Sequence, residues 1–390
     1  MSAAGQTETA PIRVLQTGLH WLGSGAGGLD RVFHDMAQAL PACGVEVRGL
    51  VVSPHDAAEQ TGGRIQTFAP AGAGMIGRLA GARQRIGALA ADRAFDVIAP
   101  HFAFHVATAL DRLGSVPMVA HFHGPWAAES ALEGAGRLSA TAKRWLETRV
   151  YRRATKIIVL SEAFGELAAR QYGIATDKIC IVPGAVALSR FDHGYTSAEA
   201  RQHLDWPRDR PILLSVRRLA PRMGLDRLIA AMQAVVRAVP EALLFIAGRG
   251  IMEAALRAQV LEAGLERHVR FVGFVPDRDL AFAYTAADLN IVPSIALEGF
   301  GLSAAEALAA GTPSLVTPVG GLPEVVCGLS ANLVLASSAT HAIASGIIAA
   351  LRGDLVMPVP EACRDFAVRH FNVARAASQT AAIYRQALGR

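Results

Sequence analysis

The sequence predicts an α/β protein, with two tandem Rossmann-like domains whose parallel sheets face each other across a cleft. Three observations carry that expectation. Short β-branched runs alternate with amphipathic segments of helical period, the pattern of βαβ units. The series breaks at a Pro/Gly turn and polar stretch, PGAVALSRF onward, and then restarts. A chain of 390 residues is also long enough to fill two cores of ordinary domain size.

In the first half the runs place strands at Ile12–Gln16, Val45–Val52, Val97–Ala99, Met118–His121, Lys156–Leu160 and Ile179–Val182. Helices are expected over Leu29–Leu40 and Ala163–Gln171, among others. The second series holds strands at 211–216, 243–248, 269–274, 289–294 and 313–317. Its helices are expected over Leu225–Ala238, Ile251–Ala263, Asp279–Ala287 and Leu302–Ala310. The expected domains are therefore 1–190 and 191–370, with a last helix at about 371–390 packing back on the first. In such folds ligands bind outside the carboxyl ends of the strands, so facing sheets suit two substrates.

Composition narrows the class. Half the residues are apolar and 18% are charged, a globular profile rather than a disordered one. The four cysteines lie far apart with no CxxC pair, which predicts reduced thiols and a cytoplasmic protein. The most apolar run, SANLVLASSATHAIASGIIAAL, is broken by Asn332 and His341, so no membrane span is expected. A net charge of +5 is too small to suggest a nucleic-acid partner. Within residues 139–156, however, Lys143, Arg144, Arg149, Arg152, Arg153 and Lys156 stand against Glu147 alone. On a helix that also carries Trp145, Leu146, Val150 and Tyr151, this is either a solvated face or a peripheral contact with an anionic membrane surface or acceptor.

The glycine cluster GSGAGG follows the first strand. Gly23, Gly25 and Gly28 formally match the dinucleotide fingerprint. The residues TGLHWL separate the cluster from the strand, and the second strand run closes on Ser53 where a ribose-binding acid belongs. Both points argue against a nicotinamide cofactor. The preferred reading is a loop whose amides, at Gly27 and Gly28, approach a diphosphate beside a helix start.

The stretch EGFGLSAAEALAAGTPSLVT, from Glu298 to Thr317, is more specific. Glu298 lies in the loop after a strand, and Gly299 and Gly301 let the backbone turn tightly. A helix then begins at Leu302 with its positive end near the same place. Glu306 sits one turn inside that helix, where a carboxylate can accept from the two hydroxyls of a ribose. Glu298 is suited to hydroxyls of a transferred sugar.

These segments resemble family 4 of the retaining nucleotide-sugar glycosyltransferases, which share the two-domain GT-B fold. RRLAPRMG (217–224) is similar to the family's phosphate-binding segment, VPGAVALSRF to its interdomain junction, GGLDRV to its N-terminal glycine loop and HFHG to its first-domain active-site histidine. VGFVPDRDL, AADLNIVPS and PVGGLPEVV follow in family order. The resemblance implies that Arg218 binds the donor diphosphate, that His123 contacts donor sugar or acceptor, and that Glu298, Phe300, Gly301, Leu302 and Glu306 line the donor site. His20 and His121 are weaker candidates for the histidine's role. The family's usual Lys is Met223 here, with Arg222 beside it as the available second cation, and its usual junction Asp is Ala187.

The DxD triplet Asp277-Arg278-Asp279 precedes a helix, and capping with first-turn acids explains it without a metal. No metal or cofactor is expected. The implied activity is retaining transfer of a hexose-type sugar from a nucleotide diphosphate to a sugar, lipid-linked or small-molecule acceptor. An epimerase or hydrolase of the same fold, and a catalytically silent nucleotide-sugar binder, stay open at this point.

Overall fold

The computed structural model describes residues 10–21, 27–52, 57–70 and 72–389. Gly23, Gly25 and Ser53, named above, lie outside the described residues. The first seven strands are β1 Ile12–Thr17, β2 Val45–Val52, β3 Ile65–Ala69, β4 Val97–Pro100, β5 Val119–Phe122, β6 Lys156–Val159 and β7 Ile179–Ile181. They pair in parallel as β3-β2-β1-β4 and β5-β6-β7, and a parallel bridge from Ile98 to Met118 stitches the two groups together. Five more strands, β8 Ile212–Val216, β9 Leu243–Ala247, β10 Val269–Gly273, β11 Leu289–Val292 and β12 Ser314–Val316, form the second sheet. Its order is β10-β9-β8-β11-β12. The central strands read as continuous apolar runs because helices cover both faces, the condition under which parallel sheets form.

Strand β3 and the helix Met75–Ala91 were not anticipated. IQTFA carries Gln66 and Thr67 at its centre, as an edge strand can, and buries Ile65, Phe68 and Ala69. The helix buries Ala82 and Ile86 in an otherwise exposed or half-buried, Gly- and Arg-rich sequence, so its apolar stripe is thin.

In each sheet the strand order reverses beside the first strand, between β1 and β4 and again between β8 and β11. A crevice opens at such a reversal, outside the carboxyl ends. The sequence places its chemistry there: Gly27 and Gly28 after β1, His101 after β4, His123 after β5, Arg217 and Arg218 after β8, and Glu298 after β11.

The final helix, Val373–Ala387, leaves the second half and packs on the helix Gly28–Ala39 and the turn Leu40–Cys43. It buries Ala377, Ala381 and Tyr384 with the first sheet's core. Asn372 caps its start by accepting from the Ala374 amide at 2.8 Å, and Arg385 near its end donates to the Cys43 carbonyl at 2.7 Å. No described helix is long and apolar enough to cross a membrane.

Candidate active site

On the second sheet's side, the carboxyl end of β8 delivers a buried cation. Arg217 pairs with Glu298 and donates to Ser294 Oγ at 2.5 Å and Ser303 Oγ at 3.3 Å. Ser294 also donates to Glu298 at 2.9 Å. Burial works to raise the Glu298 carboxyl, but the Arg217 guanidinium and its hydrogen bond outweigh it, and the group is held below its ordinary value. Glu298 is thus an anchored anion. Arg217 was missed in the sequence; the doublet Arg217-Arg218 was its only signal.

The glycine turn between Glu298 and the helix Leu302–Ala309 has a steric cause. Gly301 adopts φ 95°, and a Cβ there would lie 2.4 Å from Leu322. The neighbouring Phe300 ring is a core residue, edge-on to Phe371 and close against Gly184, so only its backbone is left for a ligand. Glu306 is buried, accepts from Tyr284 Oη at 3.1 Å and lies 3.6 Å from Arg31 of the opposite domain. Burial pushes its carboxyl up, against the pull of Arg31 and Arg190.

On the first sheet's side, Gly28 meets Leu302: a Cβ on Gly28 would be 3.3 Å from the Leu302 side chain. The two glycine loops therefore face each other. The Gly27 amide is not bare as expected. It donates to Asp30 at 3.1 Å, and the other Asp30 oxygen accepts from the His20 amide at 2.9 Å. This capping arrangement fixes the loop but takes one amide from any ligand.

Charges join the domains. Arg222 reaches Glu129 at 3.2 Å and Arg218 reaches Glu133 at 2.5 Å, both acids lying on or just after the helix Trp126–Leu132. Arg222 also donates to the Leu297 carbonyl at 3.0 Å, which aims it at the cleft, while Met223 packs its sulfur on Arg217. Burial lowers the Arg222 guanidinium and raises the Glu129 carboxyl. Arg31 binds Asp277 at 2.8 Å, and Arg190 lies 3.4 Å from it. Pro276, rather than either aspartate, takes the N-cap of the helix Asp277–Ala286; the two acids occupy its first turn, and Asp277 spends its charge across the cleft. Ser161 Oγ donates to the Gly299 carbonyl at 2.7 Å, and Glu324 accepts from the amides of Glu162 and Ala163 at 2.8 and 3.0 Å.

The histidines form a cluster that sequence spacing did not reveal. His101, His121 and His123 bring ring nitrogens within 4.8 Å of one another. A metal does not suit them. The rings of His101 and His121 stack 3.9 Å apart at 11°, so their lone pairs run side by side instead of converging on one ion. His121 Nε2 is 3.0 Å from Tyr384 Oη, and His101 Nδ1 is 3.0 Å from His123 Nε2. Burial lowers all three, His123 to about 4, so they are neutral near pH 7.

The basic segment forms the helix Arg137–Arg153. Val150 and Tyr151 point inward, while Leu138 and Trp145 are exposed, with Arg149 over the Trp145 ring at 4.8 Å. Arg144, Arg152, Arg153 and Lys156 each donate to backbone carbonyls. Glu147, the one acid in the run, is buried. It accepts from the Trp126 and Ala127 amides at 2.9 and 3.2 Å and from Tyr172 Oη at 2.9 Å, and so holds the start of the helix that carries Glu129.

Two doubly wound sheets that turn their strand ends toward a shared cleft make the GT-B architecture. Sucrose-phosphate synthase from Thermosynechococcus elongatus superposes with a TM-score of 0.79 at 24% identity, over 97% of this chain and 99% of that one. Anabaena Alr3699/HepE, solved in complex with UDP-glucose, superposes with a TM-score of 0.75 at 20% identity, over 96% and 99%. Residues 26–190 match the model for Glycosyltransferase Family 4, and residues 196–368 that for Glycosyl transferases group 1. D-inositol 3-phosphate glycosyltransferase of Saccharomonospora viridis is 31% identical over 296 residues, 72% of this chain and 67% of that protein. The chain belongs to this glycosyltransferase family, and it is an enzyme of the transferase class.

Proposed function

We propose that the protein transfers a hexose from a nucleoside diphosphate sugar to a sugar, lipid-linked or small-molecule acceptor, with retention and without a metal. The second domain takes the donor and the first takes the acceptor. The observation that carries this reading is the grouping of Arg218, Arg222, Glu298 and the Gly301–Leu302 helix start at one sheet end, with Glu306 behind it. The complex of HepE with UDP-glucose supports a nucleotide sugar as the class of donor.

In this mechanism the bond from the anomeric carbon to the phosphate oxygen breaks and leaves extra negative charge on the diphosphate. Arg218 and Arg222 neutralise it. Preorganised charge of this kind is often the largest catalytic contribution. The acceptor oxygen attacks the same face of the sugar, and its proton passes to the departing phosphate oxygen. Glu298, fixed by Arg217, accepts from hydroxyls of the transferred sugar, and Glu306 accepts from the ribose. Glu129 and Glu133 occupy the two arginines, so donor entry exchanges carboxylate for phosphate. Arg222 takes the place of the lysine that Met223 replaces.

A thermal-shift panel of UDP-, GDP-, ADP- and dTDP-hexoses tests the reading, because a true donor raises the melting temperature by mass action. One of them should stabilise the protein in a concentration-dependent way; a flat panel refutes a nucleotide-sugar site. Transfer with the donor so found should persist in excess EDTA. Activity lost in EDTA and restored by manganese refutes the metal-free mechanism.

The exposed Leu138 and Trp145 on a basic helix favour a second element of the proposal: the first domain rests on an anionic membrane surface. Trp145→Ala should weaken sedimentation with phosphatidylglycerol vesicles.

A further inference from the structure

We propose that His101 is a positioning residue that commits His123 to the Nδ1–H tautomer, so that His123 offers the cleft a neutral N–H donor. The inference rests on the reading above that His123 contacts the sugar or acceptor.

The geometry begins with the sheet. Strands β4 and β5 lie side by side through the Ile98–Met118 bridge, so residues just beyond their ends are neighbours. His121 and His123 are two apart at the end of β5 and share a face. His101 follows β4 and packs against both, its ring stacked 3.9 Å from that of His121 and 5.2 Å from that of His123. The Phe33 ring closes over His101 edge-on at 5.3 Å. At the far end Tyr384, from the last helix, bonds His121 at 3.0 Å. The stack is therefore held from both sides and has little freedom to rotate.

The 3.0 Å contact between His101 Nδ1 and His123 Nε2 needs one proton and one lone pair. Which nitrogen carries the proton follows from the rest of His101. Its Nε2 is buried with no hydrogen-bond partner. A proton there would be an orphaned N–H donor, the least tolerated kind of buried polar group. With the proton on Nδ1, His101 leaves only a bare lone pair inside, and Nδ1–H donates to His123. His123 Nε2 is then the acceptor, and the single proton of its neutral ring must sit on Nδ1. That nitrogen has no partner among the described residues, so it is the atom left for a ligand.

The groups around His123 keep it neutral. The rings of His101 and His121 lie 5.2 and 6.1 Å from it, and Asp30, from the helix Gly28–Ala39, is the carboxylate that favours its cation. Burial prevails over Asp30. A neutral imidazole donor polarises or orients a hydroxyl oxygen without adding a positive charge near the developing cation of the sugar. That distinguishes this side of the cleft from the guanidinium side.

The test reads the tautomer directly. Protein labelled with 15N-histidine gives long-range proton–nitrogen correlations that separate bare from protonated ring nitrogens. From pH 6 to 8 His123 should show protonated Nδ1 and bare Nε2; a protonated Nε2 overturns the proposal. His101→Phe keeps the ring volume but removes the donor, so His123 should populate both tautomers. His101→Asn, whose side-chain N–H falls near the Nδ1 position, should restore the wild-type pattern. An unchanged His123 signature in His101→Phe sinks the inference. If that variant fails to fold, the wild-type tautomer and the Asn variant decide. UDP release from UDP-glucose should fall at least about tenfold in His101→Phe at unchanged UDP affinity, the kind of loss a wrong tautomer causes. Unaltered UDP release in His123→Ala would refute the role of His123 itself and leave the tautomer result standing.

Discussion

The two sheet ends meet the cleft with opposite chemistry. Behind β8 and β11 the second domain concentrates buried ions: Arg217 locked to Glu298, with Arg222 and Arg218 in front. Behind β4 and β5 the first domain presents three neutral imidazoles, and its charges come from the helix Trp126–Leu132 and from Arg31. The difference teaches how the proposed reading divides the work: the charged side suits an anion whose place is fixed, and the imidazole side suits hydrogen bonds to a neutral, hydroxyl-bearing partner.

The sharpest break in the comparison comes from Arg217. Both members of its pair with Glu298 are nearly inaccessible, and removing one partner leaves a carboxylate buried without compensation. Arg217→Met should destabilise the fold by about 3–5 kcal/mol, measured by urea denaturation at pH 7.5. The half-exposed neighbour gives the contrast: Arg218→Ala should cost less than about 1 kcal/mol of stability. Equal losses would show that burial does not separate the two arginines.

Glu147 is a buried acid of the first domain, and pH exposes it. Burial raises the Glu147 carboxyl to about 7, even though Tyr172 and two amides donate to it. The unfolded chain ionises near the ordinary value of 4.5. Between those values the folded state binds more protons than the unfolded one, so stability falls as pH rises through the window. The loss should approach about 3 kcal/mol between pH 5 and 8 from this group. Glu147→Gln should flatten the slope in denaturation at both ends of that range. A wild-type curve level over the window would mean that the three donors keep Glu147 ionised.

For the donor side, Glu306→Ala should weaken binding of the nucleotide selected by the thermal-shift panel by about 1.5–3 kcal/mol, the usual worth of hydrogen bonds to a charged group. Calorimetry checks it, and an unchanged affinity would remove Glu306 from the ribose site. The same substitution frees Arg31 from one of its two acids, so Arg31→Ala is the needed control for loss through domain contact.

Much of the second sheet was legible in the sequence, and less of the first. Strands such as PILLSV and LLFIAG are nearly unbroken apolar runs, and a glycine turn before a helix leaves a recognisable spacing around Glu298 and Glu306. IQTFA and the Met75–Ala91 helix lack such runs, because an edge position and a thin buried stripe demand little. The histidine stack was invisible for another reason. His101 and His123 are 22 residues apart, and only strand adjacency brings them to 3.0 Å. Arg217 was overlooked beside Arg218 because the alternation of strand faces, which sends one inward and one toward the cleft, is not written in residue type. Likewise Glu147 read as one acid among bases, when its partners are amides that any residue supplies.

The smallest effect tests how the two chemistries meet. Glu133 sits on Arg218, a pair with side chains 28% and 50% exposed. Such a pair is worth less than about 1 kcal/mol, and salt screens it. A diphosphate that needs Arg218 must displace that carboxylate. Glu133→Gln should therefore raise affinity for the nucleotide so selected about two- to fivefold, within the range that up to 1 kcal/mol allows. The gain should shrink at 0.5 M salt, where the wild-type pair is already weakened. Glu129→Gln should not give the same simple gain, because Arg222 is buried and needs a counter-charge until phosphate arrives. If Glu133→Gln instead lowers that affinity, the helix Trp126–Leu132 works with the nucleotide rather than against it. The first domain would then close on the donor by holding the arginines in place.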